Sequence, residues 1–242
     1  MAEQLILTPP QTPGPFYPDK LPLDTDNDLV VINDSLTPSV GKITYLGGKV
    51  TDLKGNPIRH ATVELWQVDG NGIYLHSRGG SRQKQDGNFQ GYGRFMTDSK
   101  GRYFFRTIKP NEYPGRTPHF HMAVSAKGKR KFSTQCYVEG EPKNKTDGIL
   151  NRIRDKKARD SLIVPFKPVP GSNLGELAGN FDIVLGWTPE ITAQEMCAEM
   201  VADELRSHQL RPGTAECEAE VQKEQHAANR DGDLTHEAMK AH

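Results

Sequence analysis

The chain has 242 residues, and its 31 Lys plus Arg are balanced by 31 Asp plus Glu. Zero net charge provides no field for nucleic acid or an anionic membrane surface, and no apolar run nears the roughly 18 residues that span a bilayer. The 17 Pro and 23 Gly favour short strands and many turns over a helical bundle, and the length suits one well-buried core with extensions.

Residues 1–40, rich in Pro, Asp and Thr and without sustained periodicity, read as an extended arm laid over a core. Met1 to Tyr17 lack the basic and long apolar regions of a signal peptide. The chain therefore reads as cytoplasmic, the alternative being an exported protein whose leader has been removed. Residues 41–188 form the expected β-sandwich domain, strand-like throughout 41–140. Ala61, Val63 and Leu65 alternate with Thr62, Glu64 and Trp66, the period of a half-buried strand. Lys54-Gly55-Asn56-Pro57, Asp69-Gly70-Asn71-Gly72 and Asp98-Ser99-Lys100-Gly101 are turn signals, and short strands at this spacing indicate an antiparallel sandwich. Residues 144–160 predict one exposed helix with Ile149, Leu150 and Ile153 inward, and Phe181 to Trp187 a further strand. Residues 189–242 predict a helical extension, helix-like from Ala193 to Leu210 and mobile beyond. Cys136 reads as a small core residue, and a Cys197–Cys217 disulfide is conceivable. The expected fold class is thus mainly β: an antiparallel β-sandwich core, an extended N-terminal arm and a C-terminal helical appendage.

The chemistry concentrates around His119-Phe120-His121. In a strand, residues two apart point to one face, so both imidazoles converge while Phe120 turns away. Imidazole suits zinc, copper, iron and nickel alike, so the pair names no metal. Upstream, a proline-punctuated loop from Thr107 to Pro118 carries Tyr113 and Arg116, and Tyr74 follows the turn at Asp69 to Gly72. Each tyrosine taken alone is an ordinary packing residue.

Several ordered blocks give these residues a context: Val63-Glu64-Leu65-Trp66-Gln67, Gly101 through Pro110, Tyr113-Pro114, His119-x-His121, Thr134-Gln135-Cys136-Tyr137 and Phe181 through Leu185, preceded by Pro13-Gly14-Pro15-Phe16-Tyr17. In this order they resemble the intradiol ring-cleavage dioxygenase family. The resemblance implies a non-haem Fe(III) ion held by Tyr74, Tyr113, His119 and His121. Physical chemistry agrees with the oxidation state. A phenol with pKa near 10 stays deprotonated at neutral pH only against a strong Lewis acid, and two anionic oxygens favour the ferric ion.

The resemblance further implies cleavage of a catechol-type ring between its two hydroxyls, with O2, to a muconate-type dicarboxylic acid, a protocatechuate-like substrate being favoured over catechol or hydroxyquinol. Tyr113 is the ligand expected to yield to substrate. Arg116, three residues before His119, is expected to stabilise the electron-rich ring, and Gln135 to hydrogen-bond near the metal ligands. Tyr17, in the entrance segment, and Gly115, where a bulkier pocket residue is usual, are expected to contact substrate beside Arg116. All four ligands lie on one chain, which implies a self-sufficient homo-oligomer, and the balanced charge leaves no expectation of a nucleic-acid or membrane partner. Two other readings compete. A cupin-type oxygenase needs a further histidine soon after the pair, and the next is His208. A transthyretin-like sandwich would be a binding module in which these tyrosines and histidines are structural.

Overall fold

A computed structural model describes residues 5–32 and 36–188. Its strands are β1 (Ile43–Asp52), β2 (Thr62–Trp66), β3 (Tyr92–Met96), β4 (Arg102–Ile108), β5 (His119–Ser125), β6 (Phe132–Val138), β7 (Ile163–Val164), β8 (Lys167–Pro168), β9 (Leu177–Asn180) and β10 (Ile183–Leu185), with a short helix α1 (Lys156–Asp160). In one sheet β1 pairs antiparallel with β4 and parallel with β9 and β10, and β8 closes on β9. The other sheet runs β3-β2-β5-β6-β7. A single apolar cluster takes Leu46, Val50 and Phe105 from the first sheet and Val63, Leu65, Phe120, Met122 and Val124 from the second. The two sheets therefore pack face to face, with the core between them.

The mainly β sandwich stands, with sheets that are mixed: β1–β4, β2–β3, β2–β5, β5–β6 and β8–β9 pair antiparallel. The β1–β9, β1–β10 and β6–β7 pairings are parallel, because the chain leaves the first sheet after β4 and the second after β6 and returns to each by a long connection rather than a hairpin. Strand β2 is not half-buried. Val63 and Leu65 face the core between the sheets, while Glu64 and Trp66, 6% and 1% exposed, lie under a second aromatic cluster. The predicted helix over 144–160 is three short pieces, 3-10 turns at Pro142–Lys145 and Leu150–Arg152 and then α1. Asp147 breaks it: its Oδ1 accepts the N–H of Ile149 and of Leu150 at 2.9 and 3.0 Å, a local turn that competes with helix. Leu150 is buried and Ile153 packs on the core as expected, whereas Ile149 is only half-buried and stands outside that cluster. The late strand is limited to Ile183–Leu185. Cys136 is fully buried. The predicted extension 189–242, with Cys197 and Cys217, lies outside the described residues.

The arm, residues 5–32, crosses both sheets. Thr8 exchanges hydrogen bonds with Val184 of β10, Gln11 N–H donates to Ser133 O of β6, and Asp28 pairs with Arg106 of β4 at 2.8 Å. No helix among the described residues is long and apolar enough to cross a membrane.

Candidate metal centre

β5 is buried along nearly its whole length. Phe120, Met122 and Val124 face the inter-sheet core, so His119 and His121 face the other way, on the side of Trp66 and Tyr74. Residues opposite one another on neighbouring strands share a face, and the register sets Trp66 and Gln135 opposite His121 and Tyr137 opposite His119. The histidine face is thus flanked by an indole on one strand and an amide and a phenol on the other.

Two loops bring the tyrosines. After β2, buried Asp69 accepts the N–H groups of Asn71 and Ile73 at 2.8 and 2.9 Å, a tight turn that delivers Tyr74. Gly72 of that turn sits where a side chain would meet Glu112 O at 3.3 Å, so this loop packs against the one carrying Tyr113. There Arg116 N–H donates to Tyr113 O at 3.0 Å across Pro114 and Gly115, and Gly115 has φ +80°. Proline second and a positive-φ glycine third define a type II turn, which places Tyr113 and Arg116 at its two ends. Nothing lies within 4 Å of where a Gly115 side chain would begin, so the chain leaves open space beside this turn.

The four predicted donors converge. Tyr74 Oη lies 3.0 Å from His121 Nε2, 3.4 Å from His119 Nε2 and 3.4 Å from Tyr113 Oη, and the two Nε2 atoms are 3.2 Å apart. Donors held about 2.1 Å from a shared ion have edges of about 3.0–3.4 Å in tetrahedral or octahedral shells. The protonation states fit a cation as well. His119 Nδ1–H donates to Thr117 O at 2.6 Å, which leaves the Nε2 lone pair facing the cluster. Burial, and then the charge of Arg116, holds His119 down at about 3, and burial with His119 beside it holds His121 well below the usual range. Burial first, then Tyr113, pushes the Tyr74 phenol well up. Two neutral imidazoles and a buried phenol hold a positive ion readily, and only such an ion would make tyrosinate favourable there. Among the described residues no three His, Cys, Asp or Glu come together as a rival metal set.

Arg116 is heavily engaged. Nε donates to Asp147 Oδ2 at 2.8 Å, Nη2 to Gln135 Oε1 at 2.5 Å, and Nη1 lies 3.4 Å from Tyr113 Oη. Gln135 reaches the donors through Arg116 rather than directly, and its Nε2 donates to Thr12 O of the arm at 2.9 Å. Tyr17 is not brought to the donors: its hydroxyl donates to Glu64 at 2.6 Å and its ring lies edge-on to Trp66. Three participants escaped the sequence reading. Asp147 has the Asp-Gly signature of a turn, Tyr137 falls in the quoted Thr134-to-Tyr137 block, and Phe16, stacked on Tyr74 at 5.2 Å, falls in the arm block.

The Dioxygenase family profile matches residues 12–186. The chain belongs to the intradiol dioxygenase family. A protocatechuate 3,4-dioxygenase beta chain from Burkholderia cepacia is 37% identical over 155 residues, 60% of this chain and 65% of that one. A hydroxyquinol 1,2-dioxygenase from Rhodococcus opacus is 29% identical over 195 residues, 71% of this chain and 61% of that one. The chain therefore spans under two thirds of the length of these intradiol relatives. Among solved structures, the dioxygenase domain of a dioxygenase–carbohydrate-binding fusion from Streptomyces sp. SirexAA-E superposes with a TM-score of 0.57 and 28% identity, covering 74% of this chain and 98% of that one.

Proposed function

We propose that this chain is a non-haem iron(III) dioxygenase that cleaves a catechol-type ring between its two hydroxyls to a muconate-type dicarboxylic acid. The convergence of two phenol oxygens and two imidazole Nε2 atoms carries the reading: Tyr74 Oη lies 3.0–3.4 Å from both Nε2 atoms and from Tyr113 Oη, and the two Nε2 atoms are 3.2 Å apart. Tyr74, Tyr113, His119 and His121 would hold the ion, and hard phenolate oxygens favour the ferric state. When bound, it supplies the Lewis acidity that keeps phenols and a chelating diol deprotonated and opens the ring to dioxygen.

The chain's own groups divide the remaining work. Tyr113 stands on a loop, is half-buried and has Arg116 Nη1 beside its oxygen. Its Oη can accept a substrate proton and swing aside without disturbing the strand. Arg116, fixed by Asp147 and Gln135, presents positive charge where electron density gathers on the ring, a preorganised electrostatic role. Phe16 and Gly14 close the Tyr74–His121 side against water, and the open flank at Gly115 admits substrate.

Relatives named for protocatechuate, hydroxyquinol and catechol all match. We place a protocatechuate-like substrate first because the 37% identical relative carries that name. Since Arg116 is already bound to Asp147, a ring carboxylate would be met by another group at the open flank. All four donors lie on one chain, which supports a self-sufficient homo-oligomer. Protein expressed with ample iron should hold about one ferric ion per chain and be reddish from tyrosinate charge transfer. It should consume O2 with protocatechuate, catechol or hydroxyquinol and yield a diacid. Arg116→Ala should keep iron and colour and lose about 10²-fold in turnover. Colourless protein that takes up zinc or no metal, with no O2 uptake, would return the chain to the binding-module reading.

A further inference from the structure

Glu64 shares a face of β2 with Trp66, and a carboxylate only 6% exposed is costly unless well paired. Its Oε1 accepts from Tyr17 Oη at 2.6 Å and Tyr92 Oη at 2.7 Å, and its Oε2 pairs with Lys131. The Lys131 ammonium also sits 4.7 Å from the centre of the Tyr17 ring. Tyr17 is thus gripped at its hydroxyl and on its face. The same ring meets Trp66 edge-on at 5.0 Å, and Trp66 lies parallel to His121 at 5.0 Å and 7°.

The residues just before Tyr17 rest on the donors themselves. Phe16 stacks on Tyr74 at 5.2 Å and 22°, and a side chain on Gly14 would begin 3.2 Å from His121 Cε1. The two histidines differ in how they are held. His119 is anchored through Nδ1 to Thr117 O, whereas His121 Nδ1 is buried with no hydrogen-bond partner among the described residues. The pose of His121 therefore depends on packing: indole against its face and the arm against its edge.

We propose that Glu64 is a positioning residue, clamping the N-terminal arm over the donor set so that Tyr17, Phe16 and Trp66 fix the rings of Tyr74 and His121. The role assigned to those rings rests on the proposed function; the clamp itself does not. The residue acts through Tyr17 and Trp66 and touches no donor.

Limited trypsin digestion of the protein as purified tests the clamp, read at the exposed Lys20–Leu21 bond that follows it in the arm. Glu64→Gln and Tyr17→Phe should raise cleavage there about tenfold, and Lys131→Met several-fold, with cleavage after other Lys and Arg unchanged. Glu64→Asp should recover part of the protection. In iron-loaded protein the first three variants should shift the charge-transfer band and release iron to a chelator faster. Cleavage after Lys20 at the wild-type rate in all three would overturn the proposal. If Glu64→Gln does not fold, Tyr17→Phe and the surface change Lys131→Met decide it. Absence of iron from wild-type protein would defeat the proposed function, while the digestion would still settle the clamp.

Discussion

At Asp147 one carboxylate meets four N–H groups, with Oδ2 serving Arg116 Nε and the Thr117 amide while Oδ1 serves Ile149 and Leu150. Thr117 in turn accepts from His119 through its carbonyl, so this carboxylate holds Arg116 directly and the first histidine through Thr117. The Asp147 side chain is 0% exposed and that of Arg116 12%, so breaking the pair leaves a buried charge alone. Asp147→Ala should cost about 3–5 kcal/mol, as other broken buried pairs do. Asp147→Asn, which keeps the shape, should cost about 1–3 kcal/mol. Burial alone would raise the Asp147 carboxyl, but the Leu150 amide, Arg116 and the Thr117 amide outweigh it and hold the group below its usual range. A carboxylate depressed on folding stabilises above its unfolded pKa of about 3.9 and loses that contribution as pH falls through the folded value. The gap in urea midpoint between wild type and Asp147→Asn should therefore be full at pH 7 and shrink below about pH 4. A gap that persists unchanged to pH 3 would show that charge is not the source. In the sequence this residue passed as one of several acids on a solvated helix, because its partner is 31 positions away.

The strand carrying the histidines was readable because its side chains alternate, and alternation is a local rule. What stands opposite was not readable. That Gln135 and Tyr137 face His121 and His119 depends on register between two strands, which no single-strand pattern contains. The two tyrosines came from resemblance in block order alone, since neither loop has a period that aims a phenol. The false helix over 144–160 shows the opposite failure, apolar spacing outvoted by one side chain's hydrogen bonds to its own backbone. Position within a sheet also has consequences for reactivity. Cys136, on β6 between β5 and β7, is fully buried, and burial pushes its thiol well up. Iodoacetamide under native conditions should leave Cys136 unmodified and should label it above the urea transition, as read by peptide mass spectrometry. Labelling within minutes in native buffer would mean that this half of the sheet opens readily.

At the scale of the molecule, the turns and strand spacing declared a sandwich, but they were silent about which strands run parallel, since that depends on where long connections return. They were equally silent about where the arm docks. Its anchors join residues very far apart in sequence: Thr8 with Val184 across 176 positions, Thr12 with Gln135 across 123. Such pairings are slow to form, because a long loop must close before any contact rewards it. The segment made first therefore has to wait for β6 and β10, whose edges it binds, and the clustered donors stay uncovered on one side until then. Folding should proceed in two stages, sheets first and arm second. Pulse-labelled hydrogen exchange should show the β5 amides protected before those of Thr8 and Gln11, which donate to Val184 and Ser133. Simultaneous protection would mean that the arm is part of the folding nucleus rather than its last addition. With the order as expected, a newly made chain passes through an interval in which its histidine face is built but still accessible from the side of the arm, the natural moment for the proposed ion to be loaded.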